Sequence, residues 1–277
     1  MVRYRCINIP TTVRFHMITP KRLRLIVAAI LATGIGFVFL PAQEGAAQGA
    51  AIRVLVSNGM KAAMEELQSQ CQQAIGHPLS LEFNSTASVK KKIEEGEQFD
   101  VTIITTEAID DLIKEGKIAA GTRAKLVRSE LGIGIRMGAP KPDIHTPEAL
   151  KQTLRAAKSI TYPEDGASRG YIEKMFERMG IAADVKPKII LAHGSGPATG
   201  SVAAGNAAMV ITLFSEIVPI HGVEILGPLP GEFRYDIRFS AATSATTKNA
   251  EAAKALISFL AGPKAVSTFK AKGLEPL

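Results

Sequence analysis

Several short polar clusters carry side chains whose types and spacing suit the binding of an anion. Asn84-Ser85-Thr86-Ala87-Ser88 stands where an alternating run (Leu79, Leu81, Phe83) ends and a helix begins. Ser and Thr oxygens accept the orphan N–H groups of a helix's first turn. The same N–H groups, at the positive end of the helix dipole, receive anions. Thr86 and Ser88 are therefore candidate ligand contacts. Asn58, in Ser57-Asn58-Gly59, and Thr105, in Thr105-Thr106, follow two further apolar runs and join them. Ser168-Arg169-Gly170 opens another expected helix, and a guanidinium there would meet a planar carboxylate with two parallel hydrogen bonds. Ser195, between Gly194 and Gly196 at the head of a further helix, completes the set.

No catalyst is evident beside these residues. Gly194-Ser195-Gly196 lacks the G-x-S-x-G spacing of a nucleophile elbow, and Gly194 to Gly200 fits neither a dinucleotide fingerprint nor a P-loop. His193 lies near Ser195, but no acid is evident to orient it, so a secreted hydrolase is disfavoured. His77, His145, His193 and His221 are too far apart for metal-ligand spacing. We therefore expect a binding protein rather than an enzyme, with no metal and no cofactor. Lys90-Lys91-Lys92 reads first as a solvated helix face and second as a patch steering anions towards the site.

The elements that must position these residues alternate between strand and helix. Ile52–Val56 is a first strand, and Met60, Ala63, Met64, Leu67, Cys71 and Ile75 recur at helical spacing after it. Leu79–Phe83 and Val101–Ile104 are the next strands, and Ile109, Leu112 and Ile113 mark a helix closed by Gly116. A second series follows. It has strands at Leu131–Ile135, Lys158–Tyr162, Lys188–Ala192, Ala208–Leu213 and Val223–Leu226, with helices between them. Thr146-Pro147-Glu148 is a cap, a first-turn proline and an early acid, a strong helix start. Phe233–Ala241 reads as a strand, and a helix from Asn249 and a last one ending at Gly273 close the chain. Such β-α alternation implies parallel sheets with helices on their faces.

Lys21, Arg22 and Arg24 precede the apolar run Leu25–Leu40 and a small-residue zone, which reads as a signal peptide over residues 1–49. Of the 33 basic residues 6 fall in that leader, with 1 of the 26 acidic ones. The rest carries 27 against 25, or +2, so the overall +7 gives no reason to expect nucleic acid. Cys71 would be alone in the exported chain, on the apolar face of a helix, where a buried and inert thiol is expected.

The ordered set Asn58-Gly59-Met60, Asn84-Ser-Thr-Ala with Ile93-Glu-Glu-Gly, Asp100-Val101, and Tyr162-Pro-Glu with Gly170 resembles periplasmic molybdate-binding-type proteins. So does the ending Asn249-Ala-Glu-Ala-Ala-Lys, Phe259-Leu, Gly262-Pro-Lys-Ala and Gly273-Leu. The resemblance implies the type II periplasmic-binding-protein fold, α/β with two doubly wound lobes joined by crossover strands. One lobe would be 50–130 with 232–277, the other 131–231. It also implies a periplasmic, monomeric solute-binding component of an ABC importer, with a membrane permease as partner and a small anion as ligand. Family members present one hydroxyl from each of the first two loops and a tyrosine from a late strand. By position these fall on Gly59, Thr86 and Leu213. Two of three side-chain donors are thus lost while Arg169 appears, which favours a small organic carboxylate. Molybdate or another oxyanion in the same fold, and a periplasmic sensing domain without transport, stay open.

Overall fold

The computed structural model describes residues 50–277, and the leader expected over 1–49 lies outside them. Three strand–helix units come first: β1 (Ile52–Ser57) with α1 (Lys61–Ile75), β2 (Leu79–Asn84) with α2 (Thr86–Glu94), and β3 (Val101–Thr105) with α3 (Thr106–Lys114). β1 pairs in parallel with β2 on one side and β3 on the other. Val54, Val56 and Ile103 pack with Met64 and Leu67 of α1, whereas Leu55 and Ile104 point to the opposite face, against Val89, Ile93 and Ile109. Helices thus cover both faces, and the strands read as nearly continuous apolar runs for that reason. Each fully buried aliphatic side chain contributes roughly 1.5–3 kcal/mol. Cys71 is buried among them, and burial pushes its thiol up to about 12.

β4 (Ala124–Arg136) runs 13 residues and belongs to both halves of the molecule. The second series is α4 (Pro147–Ala156), β5 (Ile160–Pro163), α5 (Arg169–Arg178), the short α6 (Ala182–Val185), β6 (Ile189–Ala192), α7 (Ser195–Ala203), β7 (Met209–Leu213), the four-residue α8 (Phe214–Ile217) and β8 (Val223–Pro228). The chain then returns through β9 (Asp236–Thr243), α9 (Ala250–Leu260), α10 (Pro263–Ala271) and β10 (Glu275–Pro276). The resulting strand order is β2-β1-β3-β9-β4-β7-β5-β6, with β8 and β10 also paired to β4. Along β4 the partner changes at one step. Glu130 still faces Asp236 of β9, and Leu131 faces Leu213 of β7.

Gly132 follows that step, and a Cβ there would stand 2.5 Å from the Gly227 carbonyl oxygen, so only glycine lets the strands approach this closely. The second crossover starts later than its apolar pattern suggests. β9 begins at Asp236 because Tyr235 is taken up by stacking on Tyr171 of α5, with ring centroids 4.0 Å apart. The Tyr171 hydroxyl donates to the Phe233 carbonyl at 2.9 Å and fastens that connection to α5. Thr146 behaves as expected: its Oγ1 accepts the Ala149 N–H at 3.1 Å, with Pro147 opening α4.

Candidate ligand-binding site

β1, β2, β5 and β7 end at one place between the two halves, as open α/β sheets place their ligand sites. From the first half come Ser57, the last residue of β1, with Asn58 after it, and Ser85 and Thr86 at the head of α2. The second half contributes Asp165 and Ser168 before α5, Ser195 at the head of α7, and Leu213 at the end of β7 with Glu216 after it. Phe239 of β9 closes the floor. These residues enclose about 20 Å³, room for little more than one water. An outer cleft of about 390 Å³ adjoins, walled by Lys61, Glu65, Pro197 and Ile220 among others. Asn58, Ser195 and Glu216 line both spaces.

Electrostatically, the inner cavity faces the N-termini of three helices of nine or ten residues: α2, α5 and α7. Ser85 caps α2 by accepting the Ser88 N–H at 3.2 Å. Thr86 Oγ1 donates to Ser57 Oγ at 3.1 Å, which fixes two hydroxyls side by side on the cavity wall. Two carboxylates share the same space. Asp165 accepts the Gly194 N–H at 2.9 Å. Glu216 accepts from the Thr212 hydroxyl, with the Ser195 hydroxyl and the Leu213 backbone N–H nearby to favour its charged form. Burial pushes the Glu216 carboxyl above its ordinary range, with the Asp165 charge adding to the effect and the three donors opposing it.

The structure brings Asn58, Thr86, Ser168, Ser195 and Leu213 together around the cavity. Gly59 lies just behind, because the Phe239 ring fills the place its side chain would take: an added Cβ would be 2.5 Å from Phe239 Cζ and 3.3 Å from a Leu213 methyl. Ser88 is held by Ser85, whose Oγ donates to Ser88 Oγ at 3.0 Å, and it lies off the cavity wall. Thr105 sits at the head of α3, in register with Phe239, also outside the lining. Arg169 is not brought to the cavity either. Its Nε donates to Glu173 one turn along α5 at 2.8 Å, its NH1 to the Glu164 carbonyl at 2.9 Å, and the side chain is 40% exposed. The acid four residues on, in the favourable i,i+4 position, is the physical reason. His193 takes Glu164 as its partner at 3.0 Å. Lys90 pairs with Glu94 and Glu115, and Lys92 with Glu82, as solvated neighbours do.

Sequence reasoning did not single out Ser57, Ser85, Asp165, Glu216 or Phe239. The signal for Glu216 was present, since it comes three residues after a buried strand's end, where such folds place ligand contacts.

Comparison with known proteins matches this architecture. The family model for bacterial extracellular solute-binding proteins covers residues 52–275. The protein called aconitate isomerase in a Pseudomonas species is 29% identical over 232 residues, spanning 82% of this chain and 88% of that one. Molybdate-binding protein ModA of Azotobacter vinelandii is 27% identical over 234 residues, 82% of this chain and 91% of that one. In three dimensions the Azotobacter vinelandii periplasmic molybdate-binding protein superposes with a TM-score of 0.66 at 20% identity, covering 80% of this chain and 98% of that one. The chain belongs to the bacterial extracellular solute-binding protein family, with the type II periplasmic-binding-protein fold of its molybdate-binding-like members.

Proposed function

We propose that the protein captures a small organic carboxylate between its two halves, outside the cytoplasmic membrane, and presents it to an ABC importer's membrane permease. The observation that carries this reading is the apolar part of the cavity wall. Where a tetrahedral oxyanion needs hydroxyls on all sides, this cavity has Leu213 and the Phe239 ring. Apolar walls suit a ligand with a carbon skeleton, and the N–H groups of three helix starts suit its charge. In this reading Asn58, Thr86, Ser168 and Ser195 receive the carboxylate and Arg169 does not. The relative called aconitate isomerase supports a carboxylate. The name of the molybdate-binding relative supports the second reading, an oxyanion held by the same helix starts.

Residues 50–130 with 232–277 and residues 131–231 would move as two bodies about the crossovers, opening the small inner cavity to admit the ligand. A thermal-shift series with trans-aconitate, citrate, molybdate and sulfate separates the readings. A ligand that binds only the native state adds roughly 2.7 kcal/mol at a hundredfold excess over Kd. A shift with a tricarboxylate and none with molybdate is expected. A shift with molybdate alone overturns the carboxylate reading.

A further inference from the structure

Two carboxyl groups stand where an anion is to be received, and no basic side chain balances them. Asp165 and Glu216 both line the inner cavity. The Gly194 N–H holds Oδ1 of Asp165 at 2.9 Å, and the Thr212 hydroxyl donates to Oε2 of Glu216. Neither acid forms an ion pair among the described residues, and Lys61, the ammonium of the outer cleft, is taken by Glu65 at 3.8 Å. An ionised carboxylate accepts hydrogen bonds at about four positions and donates none. A ligand built of carboxylates and hydrocarbon alone would meet repulsion here with no bond in return. A second observation comes from the next residue along α8. Ser215 is 4% exposed and lines the outer cleft, its N–H donates to Ser129 Oγ at 3.1 Å, and its own Oγ has no hydrogen-bond partner. Buried hydroxyls are nearly always paired, so an orphan in a cleft wall marks where a polar ligand atom comes.

We propose that the ligand is an acid with a hydrogen-bond donor, a hydroxyl or an ammonium, on the carbon next to a carboxylate. This rests on the carboxylate reading above and narrows it. The carboxylate lies at the starts of α2, α5 and α7, and the donor turns to Asp165 and Glu216, which share that space. Glu216 lines both spaces, so the rest of the ligand leaves past it into the outer cleft of about 390 Å³. There Pro197 and Ile220 flank its carbons and Ser215 Oγ meets its polar end. Asp165 and Glu216 thereby act as specificity-determining residues. They also work against inorganic oxyanions, because a fully deprotonated molybdate or sulfate has no donor to offer them.

Titration calorimetry of the purified chain with matched acids tests this. Malate and succinate differ by one hydroxyl, as do citrate and tricarballylate, and aspartate carries an ammonium at the position of the malate hydroxyl. The donor-bearing member of a pair is expected to bind about tenfold to a hundredfold more tightly, the usual weight of a hydrogen bond to a charged group. Malate above aspartate assigns a hydroxyl, and the reverse order an ammonium. In Asp165→Asn and Glu216→Gln the preference should shrink, while succinate and tricarballylate bind as well as to wild type or better, because a repelling charge has gone. Equal binding of both members of every pair overturns the inference and leaves the carboxylate reading standing. Absence of binding by every acid removes both. A preference that survives unchanged in both folded variants overturns the role of Asp165 and Glu216. The pairs on wild type test the ligand class even where a variant fails to fold. Ser215→Ala gives up no side-chain hydrogen bond within the protein and should weaken the preferred acid by about threefold to tenfold. No change there overturns its place in the wall.

Discussion

An added methyl at position 59 would stand 2.5 Å from Phe239 Cζ, in a ring only 1% exposed. The ring has nowhere to go, so Gly59→Ala should lower stability by about 1–3 kcal/mol, as overpacked cores do. Urea unfolding measures it, and the companion change Phe239→Leu should recover most of the loss; a loss unchanged by the companion change would show that the clash is not its cause. Glu216 makes a prediction of a different kind. Its folded carboxyl titrates above the unfolded one, so its contribution to stability is complete below the unfolded value and is lost as pH rises through the folded value. Wild type should therefore lose stability relative to Glu216→Gln as pH climbs out of the ordinary carboxylate range. A difference that stays constant with pH, followed by thermal melts, would contradict that setting for Glu216.

Strand ends and helix starts were mostly legible because the chain announces them locally. Thr146-Pro147-Glu148 and the Ser85 cap need no tertiary information, and the doubly covered strands β1 and β3 show as apolar runs. The first half of β4 was hidden, since Lys125, Arg128 and Glu130 interrupt its apolar pattern and it is held by pairing with β9, more than a hundred residues on. Side-chain aim was the least legible feature. Arg169 stands at the right helix start, yet its i,i+4 acid holds it aside, while Asp165 and Glu216 reach the cavity from turns that have no motif. This ranking of elements can be measured. Thr86→Ala removes a neutral donor at the head of α2 and should cost about 0.5–1.5 kcal/mol of binding. Arg169→Ala should change affinity by less than tenfold, about 1.4 kcal/mol. A loss of several decades in Arg169→Ala would mean that the guanidinium leaves Glu173 for the ligand.

Across the whole molecule, the two halves share β4 and a core cluster that runs from Met64 and Leu67 of α1 through Leu131, Ile133 and Leu213 to Met175 and Phe176 of α5. In the proposed capture a ligand would touch helix starts from both halves at once, and the halves would move about the crossover strands to admit it. Ligand size then decides how far the cleft must open, because about 20 Å³ of inner space admits no polyatomic anion as it stands. Titration calorimetry of the purified chain with trans-aconitate and, separately, with molybdate tests the central claim most directly. Saturable binding of the tricarboxylate, undisturbed by an excess of molybdate, is expected. Saturable binding of molybdate with no heat from the tricarboxylate would contradict it.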